Sequence, residues 1–174
     1  SQAGTGGALP HMTQVNWNFI NGSNIDLLVD GVTYRRGYGV PGDPRQGEAN
    51  NCLIDSLRQC LGRIGCDRRK VREDLLREFG DTDGGDPRQR VTQDSFLDVG
   101  CHWQAILVSL FCNNDSGLPT RCDPSEYCVV ALSGDRPGHG VVHGDSSARN
   151  RLVIVNWNDE HFDPCLRAEM AGES

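Results

Sequence analysis

The sequence predicts an α+β fold, because strand patterns near both ends of the chain enclose helical patterns. Near the N-terminus Val15, Trp17 and Phe19 alternate with asparagines, as expected of a half-buried strand. Near the C-terminus residues 152–157 are mostly apolar and predict a buried strand. We therefore expect a central antiparallel or mixed sheet flanked by helices.

Apolar residues at helical spacing predict the first helix directly after Asn51. Asn51 suits the N-cap position, and Gly65 is a suitable end. The apolar face comprises Leu53, Ile54, Leu57, Cys60, Leu61 and Ile64. Cys52 therefore begins this helix, where unpaired backbone N–H groups favour an anion.

Further helices and short strands follow from similar patterns. A second helix is predicted over 68–79, ended by Gly80, a short helix over 92–97, and a long helix over 102–111. Short strands are predicted over 25–29, 32–35, 127–132 and 141–142. A short extended tail is expected from Cys165 onward.

Composition and charge exclude several classes of protein. The chain has 174 residues and a formal net charge of −7, so a general nucleic-acid binder is not expected. No apolar run reaches the about 18 residues that a membrane-spanning helix needs. We expect a flexible segment over 1–12, a single domain over 13–168, a tail over 169–174, and a monomer.

The eight cysteines are irregularly spaced and include no Cys-x-x-Cys pair. This pattern fits neither a disulfide framework nor a zinc site, so no metal is expected. We interpret most of the cysteines as reduced core residues of a protein in a reducing cytosol. A disulfide or metal site among Cys112, Cys122 and Cys128 is the alternative.

Cys52 is the candidate nucleophile. The positive end of the helix dipole is expected to lower the pKa of its thiol, and the thiolate is the attacking form. A glycine- and proline-rich loop over 37–50 precedes it, and backbone N–H groups of such a loop can hold a developing oxyanion. The alternative is a buried structural cysteine at a helix end.

Two His-x-Asp segments offer a base for this thiol, one at His161 and Asp163 and the other at His143 and Asp145. Side chains two positions apart on a strand share a face, so each aspartate can orient its histidine. His161 follows the strong C-terminal strand, and Phe162 would anchor it in the core. We therefore favour His161 as base and Asp163 as orienting carboxylate, with the other pair as the alternative.

Two motifs resemble those of the ovarian tumour (OTU) cysteine proteases. Residues 51–56 read Asn-Cys-Leu-Ile-Asp-Ser at a helix start, similar to the family's Asp-Gly-Asn-Cys-Leu-Phe-x-Ala nucleophile motif. Residues 158–163 read Asn-Asp-Glu-His-Phe-Asp after a C-terminal strand, similar to the family's histidine segment. The resemblance spans about residues 35–167 and implies a papain-like, OTU-like fold with the nucleophile at a helix N-terminus.

The resemblance implies a deubiquitinase with Cys52 as nucleophile, His161 as base and Asp163 as orienting carboxylate. Such an enzyme hydrolyses (iso)peptide bonds after the C-terminal glycine of ubiquitin, needs no cofactor, and has conjugates of ubiquitin or a ubiquitin-like protein as partners. The supporting and oxyanion groups are expected at Ala49, Asn50, Asn51 and Asn158.

The chain departs from the family where Ala49 and Asn50 replace the usual Asp-Gly. This divergence favours a bacterial effector or viral member, acting in the host cytosol as part of a larger effector or polyprotein. Two other functions stay open from the residues alone. A papain-like toxin domain that deamidates a glutamine of a host protein would use the same cysteine and histidine. A non-catalytic binding module, including a zinc-stabilised one, would need no reactive thiol.

Overall fold

The computed structural model describes residues 11–81, 85–113 and 119–168, and within these ranges eight strands form one mixed sheet with three helices. The helices are α1 (Cys52–Cys60), α2 (Arg68–Phe79) and α3 (Val99–Cys112). The strands are β1 (Thr13–Gln14), β2 (Trp17–Phe19), β3 (Asp26–Val29), β4 (Val32–Arg36), β5 (Tyr127–Ser133), β6 (His139–Gly144), β7 (Asn150–Trp157) and β8 (His161–Arg167). The predicted α+β class and mixed sheet are confirmed.

The sheet has the strand order β1-β6-β5-β7-β8-β4-β3-β2. β5 and β7 are parallel, and the other neighbouring pairs are antiparallel. The two edge strands, β1 and β2, are separated in the chain by only Val15 and Asn16, so the edges of the sheet lie close together. The Trp17 indole confirms this proximity, because its Nε1 donates a 2.8 Å hydrogen bond to the His139 carbonyl of β6.

Both faces of the sheet are buried, each by a different means. The helices cover one face, where Leu57 of α1, Val71 of α2 and Leu107 of α3 join Ile154 of β7. The other face forms a second apolar cluster among the strands. Burying a side chain of this size contributes about 1.5–3 kcal/mol, so these contacts hold α1 firmly against the sheet. α1 packs on β8, which brings the start of the helix to the start of the strand.

The second and third helices begin at aspartate caps. The helix predicted over 68–79 is confirmed, and the Asp67 side chain accepts from the Arg69 N–H at its start. α3 begins at Val99, earlier than predicted, because the Asp98 side chain caps it by accepting from the Gly100 N–H. The predicted helix over 92–97 is wrong, since residues 93–94 form a turn and Ser95 Oγ accepts from the Thr92 N–H.

α1 ends earlier than Gly65, the predicted stop. Gly62 has φ of 70°, its N–H donates to the Gln59 carbonyl, and the Arg63 N–H donates to the Arg58 carbonyl. These bonds form a Schellman motif, which satisfies the last carbonyls of the helix. Ile64 is therefore not on the helix and is exposed.

The extended conformation predicted from Cys165 is confirmed, but that cysteine lies inside β8 and does not begin a separate tail. Residues 1–10 of the predicted flexible segment, and the tail over 169–174, lie outside the described residues. In the described part of the chain, no helix is both long and apolar enough to cross a membrane.

Candidate active site

Cys52 is the first residue of α1 and is 3% exposed. Its Sγ lies 3.9 Å from the Glu160 carbonyl oxygen, and the backbone of Phe162 is near enough to lower the pKa of the thiol. His161 lies between these two residues in the chain. The structure thus brings the start of α1 to the start of β8, which are more than a hundred residues apart in sequence.

Burial raises the pKa of the Cys52 thiol. Backbone hydrogen bonds from Phe162 and from the start of the helix act in the opposite direction but do not outweigh desolvation. The start of the helix does act to lower this pKa, but the expected net lowering is wrong. Since the resting thiol is protonated at neutral pH, its reactivity depends on a neighbouring base.

His161 and Asp163 are hydrogen-bonded to each other, with 2.7 Å between Nε2 and Oδ1. Phe162, on the opposite face of β8, is buried in the core. An ionised carboxylate only accepts hydrogen bonds, so Nε2 carries the proton and Nδ1 is the basic nitrogen. The exposed Tyr38 ring lies beside the imidazole, with 5.2 Å between ring centroids. The imidazole is therefore held from two sides.

Asp163 is 1% exposed and accepts hydrogen bonds from four groups. Besides His161, these are Arg36 NH1 at 2.7 Å, the Gly39 N–H at 2.9 Å and Trp157 Nε1 at 3.0 Å. A buried carboxylate stays charged only when such partners replace water. Sequence reasoning missed these groups because they come from distant or differently patterned segments, and no local periodicity marks them.

The loop before α1 is held between two buried aspartates. Asp163 accepts from the Gly39 N–H, and Asp55 of α1 accepts from the Val40 N–H at 2.8 Å. A Cβ on Gly39 would lie 2.0 Å from the Phe162 carbonyl oxygen, so only glycine fits here. The close packing of this loop on β8 therefore requires a residue without a side chain at position 39.

Asn51 occupies the N-cap position of α1 but does not cap it with its side chain. Its Nδ2 donates to Glu48, and its Oδ1 accepts from Arg72 Nε, each at 2.9 Å. The Asn51 N–H donates to the Pro41 carbonyl, so it is not positioned as an oxyanion donor. Asn51 instead joins α2 to the loop.

Ala49 and Asn50 present their carbonyls to Arg72, whose NH2 donates to them at 3.4 and 2.9 Å. Burial lowers the pKa of Arg72 to about 10, and it remains charged at neutral pH. Burial opposes ionisation of Glu48, but hydrogen bonds led by Arg68 outweigh it and lower the pKa of this carboxyl. Residues 48–51 are thus held by hydrogen bonds and ion pairs to the charged side chains of Arg68 and Arg72.

The alternative pair does not lie at this site. In the sheet order β5 and β7 separate β6, which carries His143, from β8, a distance of about 14 Å at the usual strand spacing. Burial lowers the pKa of His143, whose ring lies against Gly100 of α3. Asp145 accepts from the N–H and hydroxyl of Ser147 instead.

Asn158, the predicted supporting residue, lies in the exposed turn between β7 and β8 with φ of 58°. His161 is hydrogen-bonded to Asp163. All eight cysteines are free. Among the described residues, no group of three or more His, Cys, Asp or Glu side chains is placed to hold a metal ion.

No protein-family model, no curated protein and no solved structure matches this chain significantly. Any functional assignment therefore depends on the geometry of the site and on the motifs in the sequence.

Proposed function

We propose that this protein is a cysteine protease that hydrolyses (iso)peptide bonds after the C-terminal glycine of ubiquitin or a ubiquitin-like protein. One observation carries the proposal. The Cys52 thiol lies against the backbone on both sides of His161, and His161 is hydrogen-bonded to the buried Asp163 at 2.7 Å. A nucleophile, a base and an orienting carboxylate in this arrangement support acyl transfer.

In this mechanism His161 Nδ1 takes the proton from Cys52 as the sulfur attacks the carbonyl carbon of the substrate. The N–H of Cys52, as the first residue of the helix, is the candidate donor to the oxyanion. The tetrahedral intermediate collapses to a thioester, and the imidazolium gives its proton to the leaving amine. Water, activated by the same imidazole, then hydrolyses the thioester and restores the thiol.

Asp163 keeps the imidazole in the tautomer that the mechanism needs. Its charge also stabilises the imidazolium that forms when the thiol is deprotonated. Burial raises the pKa of the Cys52 thiol, so the proposed mechanism needs His161 to take the proton. The choice of ubiquitin as substrate comes from the resemblance of residues 51–56 and 158–163 to the OTU motifs.

A ubiquitin carrying an electrophile at its C-terminal glycine tests this proposal. We expect a single adduct at Cys52, measured by intact mass, and none in Cys52→Ala. Burial raises the pKa of Cys60 to about 12, so that thiol should not react. Cys112 is exposed, so the measurement is made in a Cys112→Ser background.

Cleavage of ubiquitin chains by two matched histidine variants provides the second arm. His161→Ala is expected to abolish cleavage, whereas His143→Ala, three strands away, should retain most of it. If Cys52 reacts with a small alkylating agent but ignores the probes of ubiquitin and related modifiers, the proposal is wrong and glutamine deamidation replaces it.

A further inference from the structure

A cavity of about 670 Å³ lies at the C-terminal end of α1, at the other end of the helix from Cys52. It forms where β7 and β8 stop pairing, because the last pair of residues at this end of the two strands is Val153 and Cys165. Leu152 and Leu166, one position further out, line the opening. The floor of the cavity is therefore mainly apolar.

Arginines line the rim of this cavity: Arg35 of β4, Arg151 of β7 and Arg167 of β8. Arg35 and Arg151 also form ion pairs with Asp26 and Asp30, but these pairs are exposed and screened by water. None of the described residues that line the cavity is acidic. Asp26 and Asp30 do not line the cavity, and a guanidinium has five N–H donors, so the rim offers donors beyond those used in the two ion pairs.

We propose that this cavity binds a small amphipathic anion, a medium-chain fatty carboxylate, with its chain on the apolar floor and its carboxylate at the arginine rim. The volume lies in the range of small-molecule sites, about 300–1,000 Å³. Guanidinium groups match a carboxylate in charge and in geometry. Burial of the chain supplies the favourable free energy, and the arginines select the anion.

The cavity is connected to the candidate active site through Gln59, which lines it. Gln59 Nε2 donates to Asp55 at 2.7 Å and to the Tyr38 carbonyl at 2.8 Å. Asp55 in turn holds the Val40 N–H, and the Tyr38 ring lies beside His161. A ligand that shifts Gln59 therefore changes the loop whose Tyr38 ring lies beside the imidazole, and by linkage the two sites affect each other.

Titration calorimetry with free decanoate tests the binding. We expect decanoate to bind roughly tenfold more tightly than decanol, a factor typical of a charge-assisted contact. Arg151→Gln should weaken binding by roughly threefold to tenfold, while Arg149→Gln, an exposed arginine outside the cavity, should leave it unchanged. Leu61→Trp, which fills the cavity, should abolish binding, with folding checked by urea denaturation.

Equal affinity for decanoate and decanol, or equal effects of Arg151→Gln and Arg149→Gln, would overturn the proposal. If the protein sediments with anionic phospholipid vesicles but does not bind free decanoate, this surface binds a membrane and the proposal of a fatty-carboxylate site is also overturned. For the connection through Gln59, saturating decanoate should change the rate of Cys52 alkylation at least about twofold, a small allosteric coupling. An unchanged rate would refute the connection, and neither readout requires ubiquitin.

Discussion

Replacing Asp163 by alanine is expected to damage both stability and activity, because this carboxylate joins four segments of the site. The change removes the acceptor of four hydrogen bonds, from Arg36, Gly39, Trp157 and His161. Removing one partner of a buried ion pair alone costs about 3–5 kcal/mol, because the other charge is left unpaired. We expect a loss of this size rather than a sum over four bonds, since Arg36 keeps partial access to water.

Urea denaturation measures this loss directly, and Asp145→Ala is the matched control in the other His-x-Asp segment. Asp145 is exposed, and among the described residues its side chain accepts from Ser147 alone, so its removal should have little effect. Under conditions where both variants are folded, we expect Asp163→Ala to reduce cleavage by roughly 100-fold, less than His161→Ala. If the two aspartate variants unfold at the same urea concentration, the argument that Asp163 organises the site is refuted.

Three further changes can be measured in the same way. Gly39→Ala should lose activity, because its Cβ would lie 2.0 Å from the Phe162 carbonyl oxygen, whereas Gly65→Ala, with open space around it, should not; equal activity of the two would contradict the packing argument. Burial lowers the pKa of His143 in the folded protein, so on acidification the imidazole is protonated at a higher pH in the unfolded chain than in the folded one. The free energy of unfolding should therefore fall as the pH drops below about 6.5. His143→Phe should flatten this decline in pH-dependent denaturation, and an unchanged slope would exclude His143 as its source. Burial raises the pKa of the Cys52 thiol above the ordinary thiol pKa of about 8.5. The rate of Cys52 alkylation should therefore keep rising above pH 8.5. A rate that reaches a plateau near pH 6 would show a preformed thiolate instead.

Some features of the site follow from local sequence alone. The helix over 68–79 could be predicted because Asp67 and Gly80 mark its ends within the segment itself. The shared face of His161 and Asp163 follows from the two-residue repeat of a strand. The earlier end of α1 could also have been found, since Gly62 was a nearer stop signal than Gly65.

Other features could not be read from the sequence because they arise from contacts between distant segments. The dipole of α1 predicts a lowered pKa for Cys52, but the sheet and loop that bury the thiol reverse the direction. Asn51 has the sequence signature of a cap, yet Glu48 and Arg72 compete for its side chain.

Local patterns in the chain are sufficient to predict the α+β class, the start of α1 at Cys52 and the spacing of the His161 and Asp163 side chains, since each pattern involves residues within a few positions of one another. Folding determines which of the two His-x-Asp segments lies at Cys52, because strand order places β8 beside α1 and β6 elsewhere. It also determines the charge environment of the site, because desolvation and the bonds from Arg36 and Gly39 exist only after the chain has folded.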